Sequence, residues 1–158
     1  MNIYITDLTT ICNHDDLVNK LSAQDLSRYK SFTRPNRAAQ FLVAHAIKTK
    51  IENQFGHISI AHKDNFVIVV ASQNPIGVDI EDTSKQRDFN SLGNFMQFSN
   101  IKTADDFYRT FTKYEAEYKS NTTKLCPHFY KLGKYMICIV SNDQDVIWIN
   151  PTLIPEQI

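Results

Sequence analysis

The order of secondary-structure signals constrains this chain most: a long helix followed by three short strand-like runs, and then the same order again. Pro35 suits the first turn of a helix over 35–54, which Gly56 ends. On that helix Ala38, Phe41, Leu42, His45, Ala46 and Thr49 fall at helical spacing, with Arg37 and Lys48 elsewhere. Strand-like runs follow at 58–62, 66–71 and 76–82, joined by turn-forming residues at 63–65 and 73–75. These predict an antiparallel three-stranded meander packed on the helix. In the second half, a loop or short helix around 89–98 precedes a helix over 103–121. Further runs at 128–132, 135–141 and 146–150 then repeat the order. The expectation is an α+β fold in a single domain, 1–158. It comprises two similar lobes, about 1–82 and 83–158, related by a pseudo-twofold axis. Each lobe is a long helix on a three-stranded antiparallel sheet. A strand over 2–6 and short helices over 14–22 and 22–31 should precede this pattern, with Ser22 as an N-cap and an irregular tail over 151–158.

A chain of 158 residues can bury a real core, and no apolar run approaches the roughly 20 residues of a membrane span. The first residues lack a basic segment followed by an apolar run, so no signal peptide is expected. Cys12, Cys126 and Cys138 have no metal-type spacing and read as free thiols of a cytoplasmic protein. The formal net charge of zero hides a segregation. Between Leu26 and Ile51 stand Arg28, Lys30, Arg34, Arg37, Lys48 and Lys50 with no acid among them, whereas Asp79, Glu81 and Asp82 crowd one short run. That pattern suits an anionic ligand bound with a divalent cation, and equally two solvated faces.

Three stretches carry candidate chemistry. In a strand, Asp79 and Glu81 project to one face while Val78 and Ile80 turn to the core. Paired carboxylates suit either a solvated strand end or a cation between them. On the second long helix, Phe107, Phe111, Tyr114 and Tyr118 predict the buried stripe. Glu115 and Lys119, four apart, share a face beside it. They read as a surface ion pair, or as an acid for a metal and a cation for a phosphate. His62 ends a strand one hairpin before the acidic run, as a polar surface residue or as a neighbour of Asp79 and Glu81.

Taken in order, a basic helix, Ser59-Ile60-Ala61-His62, Gly77-Val78-Asp79-Ile80-Glu81 and the helical Phe111-Thr112-Lys113-Tyr114-Glu115-Ala116-Glu117-Tyr118-Lys119 resemble the Sfp-type 4′-phosphopantetheinyl transferases. The resemblance runs from about Arg28 to Lys119. It implies a monomeric, magnesium-dependent enzyme that moves 4′-phosphopantetheine from coenzyme A to a serine of an apo acyl or peptidyl carrier protein. Fatty acid, polyketide or nonribosomal peptide synthesis would be the setting. By the same resemblance Asp79, Glu81 and Glu115 are the magnesium ligands, and His62 and Lys119 hold phosphates. Arg28, Lys30 and Arg37 meet the 3′-phosphate and adenosine, Lys63 adds a phosphate contact, and Glu115 takes the serine proton.

The chain departs from the family's pattern at named places. Phe111 stands for a tryptophan, Tyr114 for a lysine, and Ala61 and Lys63 for serines beside the histidine. Only residues 52–57 separate the first long helix from the His62 strand, where the family has a longer segment with a G-K-P element near the adenine. These departures leave room for a family member that binds a carrier without modifying it. A metal-dependent nuclease or phosphohydrolase using the same acids is a further reading, although neutral charge and the lack of interleaved aromatic residues speak against a nucleic-acid partner. Leu92, Phe95, Met96 and Phe98 form the expected docking surface for the carrier, or else a cover between the lobes.

Overall fold

The computed structural model describes residues 1–11, 14–149 and 156–157. Its elements are β1 (Asn2–Asp7), a 3-10 turn (Leu8–Thr10), α1 (His14–Val18), α2 (Ala23–Ser31), α3 (Pro35–Ile51), β2 (His57–Lys63), β3 (Phe66–Ser72) and β4 (Gly77–Asp82). Then follow α4 (Phe89–Phe95), α5 (Ala104–Ser120), β5 (Cys126–Leu132), β6 (Tyr135–Ser141), β7 (Ile147–Ile149) and β8 (Glu156–Gln157). The chain is therefore mixed α+β. Local chemistry explains the boundaries. Ser22 Oγ accepts from the Asp25 N–H to start α2. Thr103 and Asp106 form a reciprocal capping box at the start of α5, which stops at Asn121 in the left-handed region.

The strands form two sheets, ordered β2-β3-β1-β7 and β4-β6-β5-β8. All pairings are antiparallel except that of β1 with β7, which is parallel. This corrects the expected meanders. β4 does not pair with β3, because β2 and β1 already occupy both edges of β3. The 73–75 segment instead carries the chain into the other sheet, where β4 pairs with β6. β7 likewise leaves the second sheet to lie beside β1. Of the expected tail, 151–155 and Ile158 lie outside the described residues, while Glu156–Gln157 pairs with β5. Cys12 and Asn150 also lie outside them.

Period-two alternation assigns each strand's faces. Ile3, Ile5, Ala61, Ile68 and Val70 of the first sheet meet Val78, Ile80, Tyr130, Ile137 and Ile139 of the second in one inner core. On the outer face of the first sheet, Val67, Val69 and Ala71 receive Val43, Ala44 and Ile51 of α3. On the outer face of the second, Cys138 and Val140 receive Ala116, and Met136 receives Phe107 and Tyr108. Each of the large aliphatic side chains in these layers contributes about 1.5–3 kcal/mol relative to exposure. β3 is buried on both faces, as its run of β-branched residues requires.

The buried face of α5 differs from the expected stripe. Phe107, Tyr108, Thr112 and Ala116 are buried, whereas Tyr114 is 46% and Tyr118 77% exposed. Gly77 supplies the reason. A Cβ there would lie 1.9 Å from the carbonyl oxygen of Ala116, so the helix backbone crosses directly over β4 and only small side chains fit between them. The aromatic residues are left to the flanks.

Candidate functional site

The edges of the two sheets, β2 and β4, run side by side, and the Val78 N–H donates across the gap to Ser59 Oγ at 3.1 Å. His62, Lys63, Asp79, Glu81 and Lys119 gather along this seam. Because Val78 and Ile80 face the inner core, Asp79 and Glu81 turn together to the α5 side, as period two requires.

Asp79 is the most constrained of them, at 7% exposure. Its Oδ1 accepts from Lys119 Nζ at 2.7 Å, and the same ammonium donates to the Val78 carbonyl at 3.1 Å. Its Oδ2 is buried without a hydrogen-bond partner. Burial pushes the Asp79 pKa up to about 6 against the pull of Lys119, and the charges of Glu81 and Glu115 add to the rise. Glu81 accepts from Lys63 Nζ at 2.5 Å, with Arg87 Nη2 3.9 Å away. Both Lys63 and Glu81 are largely shielded from water. Lys119 thus pairs with Asp79 rather than with Glu115 four residues before it, which is half-buried within electrostatic reach of Asp79.

The arrangement decides how well the seam suits a magnesium ion. Carboxylate oxygens are the right donors, and the orphaned, buried Asp79 Oδ2 is an acceptor that a cation would satisfy. At Glu81, however, the place is held by Lys63. Among the described residues no three His, Cys, Asp or Glu side chains are drawn together as a bound metal would need. Asp79 therefore offers one acceptor to a cation, Glu81 offers one only once Lys63 moves, and no complete set of magnesium ligands is assembled among the described residues.

On the other side of the seam, His62 lines a polar cavity of about 660 Å³ between α2, α3 and β2. Arg37 Nη1 lies within 2.8 Å of both ring nitrogens of His62 and donates to the unprotonated one. Burial, and then the Arg37 charge, hold the His62 pKa below its ordinary value. Phe41 forms an aromatic wall, with the Arg28 guanidinium 5.2 Å above its ring and His45 stacked at 5.8 Å. Lys20 and Lys48 also line the cavity, together with two acids: Asp25, 3.6 Å from His45 Nε2, and Glu52, 4.0 Å from Lys48 Nζ.

Of the expected basic set, Arg28 and Arg37 reach this cavity. Lys30 is exposed and does not line it, since two residues along a helix is a rotation of about 200° from Arg28. The expected apolar stripe of α3 holds at Leu42, which is fully buried, and is otherwise corrected. Arg37, Phe41, His45 and Lys48 share the cavity face, while Val43, Ala44 and Ile51 pack on the sheet, Ala44 also reaching the cavity. Sequence reasoning missed Lys20 and Arg87, and named Lys48 only as part of the basic run. The spacing of Lys48, seven residues after Phe41, was the available signal. At the expected docking surface, Leu92 and Phe98 pack against the Phe107 cluster of α5, while Phe95 is exposed. Cys126 and Cys138 are free thiols. Among the described residues no helix is long and apolar enough to cross a membrane.

No protein-family model matches the sequence, and no curated protein matches it.

Proposed function

We propose that this chain is a magnesium-dependent 4′-phosphopantetheinyl transferase, a shortened relative of the Sfp type, acting on a serine of an acyl or peptidyl carrier protein. The observation that carries the reading is a convergence. A basic, aromatic-walled cavity ending at His62 opens beside a seam that holds Asp79, Glu81 and Lys119. A coenzyme A molecule needs both: a cationic pocket for its 3′-phosphate and nucleoside, and, beside its diphosphate, a lysine together with acids that would hold a metal. On this reading the two helix-and-sheet halves are pseudo-twofold lobes of one domain, with the substrate along their seam.

Arg28 and Arg37 would grip the 3′-phosphate, with Phe41 against the base. His62, its pKa lowered by burial and then by Arg37, would donate a hydrogen bond to a phosphate oxygen. Lys119 would turn from Asp79 to the diphosphate. Magnesium, when bound, would neutralise charge on the diphosphate and on the 3′,5′-ADP that leaves, with Asp79, Glu81 and Glu115 as its protein ligands. Glu115, half-buried beside Asp79, would take the proton from the carrier serine. The serine oxygen then bonds to the β-phosphorus, the bond to the bridging oxygen breaks, and 3′,5′-ADP leaves.

A carrier-binding protein without transfer is the second reading. The pairing of both strand carboxylates with lysines, and Tyr114 in place of a family lysine, favour it. One experiment separates the two. The protein is incubated with coenzyme A, magnesium and a panel of apo carrier proteins, and the carriers are weighed intact by mass spectrometry. Gain of one phosphopantetheine mass that requires Asp79 and Glu115 supports transfer. Carrier binding without that gain supports the second reading.

A further inference from the structure

We propose that Lys63 is a resident counter-cation of Glu81, so that a divalent cation enters the seam only in competition with its ammonium. The inference rests on the reading of Asp79 and Glu81 as the cation-binding pair.

Three observations carry it. Lys63 Nζ sits 2.5 Å from Glu81 Oε2, with both side chains more than four-fifths shielded from water. Lys119 Nζ sits 2.7 Å from Asp79 Oδ1, while Asp79 Oδ2 is buried and unpartnered. Arg87 stands a further 3.9 Å from the same Glu81 oxygen. Two strand carboxylates, Asp79 and Glu81, thus face three cations, Lys63, Lys119 and Arg87, with the Glu115 charge within electrostatic reach of Asp79. A shielded carboxylate is costly to leave unpaired, and the lysines remove that cost.

Balance has a consequence for binding. A divalent ion approaching Asp79 Oδ2 finds an acceptor, but its second carboxylate is already occupied. It gains Glu81 only if Lys63 withdraws. Lys63 follows His62 on β2, so its side chain leaves the opposite face of the strand from the cavity that His62 lines, and its only partner among the described residues is Glu81.

The test needs neither coenzyme A nor a carrier. Manganese binding to the full chain is titrated by electron paramagnetic resonance, with thermal midpoints measured in parallel, for the wild type, Lys63→Met, Lys63→Arg and Lys63→Met/Glu81→Gln. Lys63→Met should bind manganese about tenfold or more tightly than the wild type, as expected when a competing charge is removed from a shielded carboxylate. Manganese should also raise the melting temperature of this variant more than that of the wild type. Lys63→Arg, which keeps the charge, should bind like the wild type, and the double variant should lose the gain. Manganese affinity unchanged or weakened in Lys63→Met overturns the proposal, including the case in which neither protein binds the ion. Lys63→Arg remains informative should Lys63→Met fail to fold, because tighter binding by Lys63→Arg also overturns it. Failure of the transferase reading is a separate outcome. A tenfold gain in a protein that modifies no carrier removes the transferase, and a working transferase whose Lys63→Met variant shows no gain removes only the counter-cation.

Discussion

Two carboxylates on β4, three residues apart, sit in opposite electrostatic environments. At the outer end, Asp82 is as buried as Asp79 but fully satisfied: Oδ1 accepts from the Ser84 hydroxyl at 2.6 Å and from the Ser84 N–H, and Oδ2 accepts from Lys134 at 2.9 Å. Burial raises its pKa, but these bonds outweigh that and bring it down to about 2. At the seam, Asp79 has one lysine and one orphaned oxygen, and burial wins, at about 6. The same strand thus carries one acid that stabilises the fold when ionised and one that strains it. The under-partnered acid is the one with an acceptor left to offer a ligand, whereas the clamped one ties the strand end to the loop that follows it.

The largest expected effect breaks this comparison directly. On the transferase reading, Asp79→Ala or Glu115→Ala should lower transfer by about 10³-fold or more, because each removes a ligand or base at the reacting diphosphate. Lys134→Ala, which loosens the Asp82 clamp and the weaker contacts of Lys134 with Asp64 and the Tyr135 ring, should leave the rate within about threefold. Intact-mass kinetics on a carrier measure both. Equal losses at the two ends would show that the seam is no more chemical than the clamp.

Next in size is Gly77→Ala, at the start of the same strand. With a Cβ forced to 1.9 Å from a helix carbonyl, β4 and α5 must separate, at a cost on the order of 3 kcal/mol in urea denaturation. Gly133, where nothing lies within 4 Å of an added Cβ, is the control for crowding, although its φ of +56° adds a smaller backbone cost. If Gly77→Ala costs no more than Gly133→Ala, the helix does not ride on the strand as described.

These two positions also show which parts were legible in the sequence. Period two alone put Asp79 and Glu81 on one face, and the helix-and-strand order anticipated nearly every element. Sheet membership was not legible, because the run at 76–82 alternates identically whichever sheet accepts it, and strand partners are decided by which edges are free. Tyr114 and Tyr118 were misplaced for a related reason. Helical spacing offered two candidate faces, and only the close approach over Gly77 selects the one with Thr112 and Ala116. Gly77 itself was the visible clue. Lys63 looked like a turn lysine because its partner, Glu81, is eighteen residues away on another sheet.

An effect of comparable size follows from the two pKa values without added divalent cations. For Asp79 the folded value lies above the unfolded one, so the folded state binds the extra proton between about pH 4 and 6, and stability falls as the pH rises through that window. For Asp82 the folded value lies below, so its contribution is in place above about pH 4 and is lost as the pH falls toward 2. Stability should therefore peak between the two windows, at about pH 4, with a loss on the order of 3 kcal/mol on the alkaline side, about two pKa units at about 1.4 kcal/mol each. Asp79→Asn should flatten that alkaline limb and leave the acid limb in place, read by urea midpoints across pH. An alkaline limb that persists in Asp79→Asn would place the strain elsewhere.

The smallest effect asks whether hostility to charge belongs to Asp79 alone or to the seam around it. His62, on the neighbouring edge strand, is held neutral chiefly by burial and secondly by Arg37, with Lys119 and Lys63 adding to the same direction. Arg37→Met removes the second cause and leaves the first. The His62 pKa should rise toward the ordinary histidine value without reaching it, as followed by the ring proton shifts in an NMR titration. Lys63→Met should move it in the same direction by less, since Lys63 is the weakest of these influences. A value that returns fully to the ordinary range in Arg37→Met would mean that the arginine, and not the shielding of the seam, controls the histidine. The two sides of the gap would then be tuned by different physics, Asp79 by burial and His62 by a single neighbour that phosphate binding could draw away.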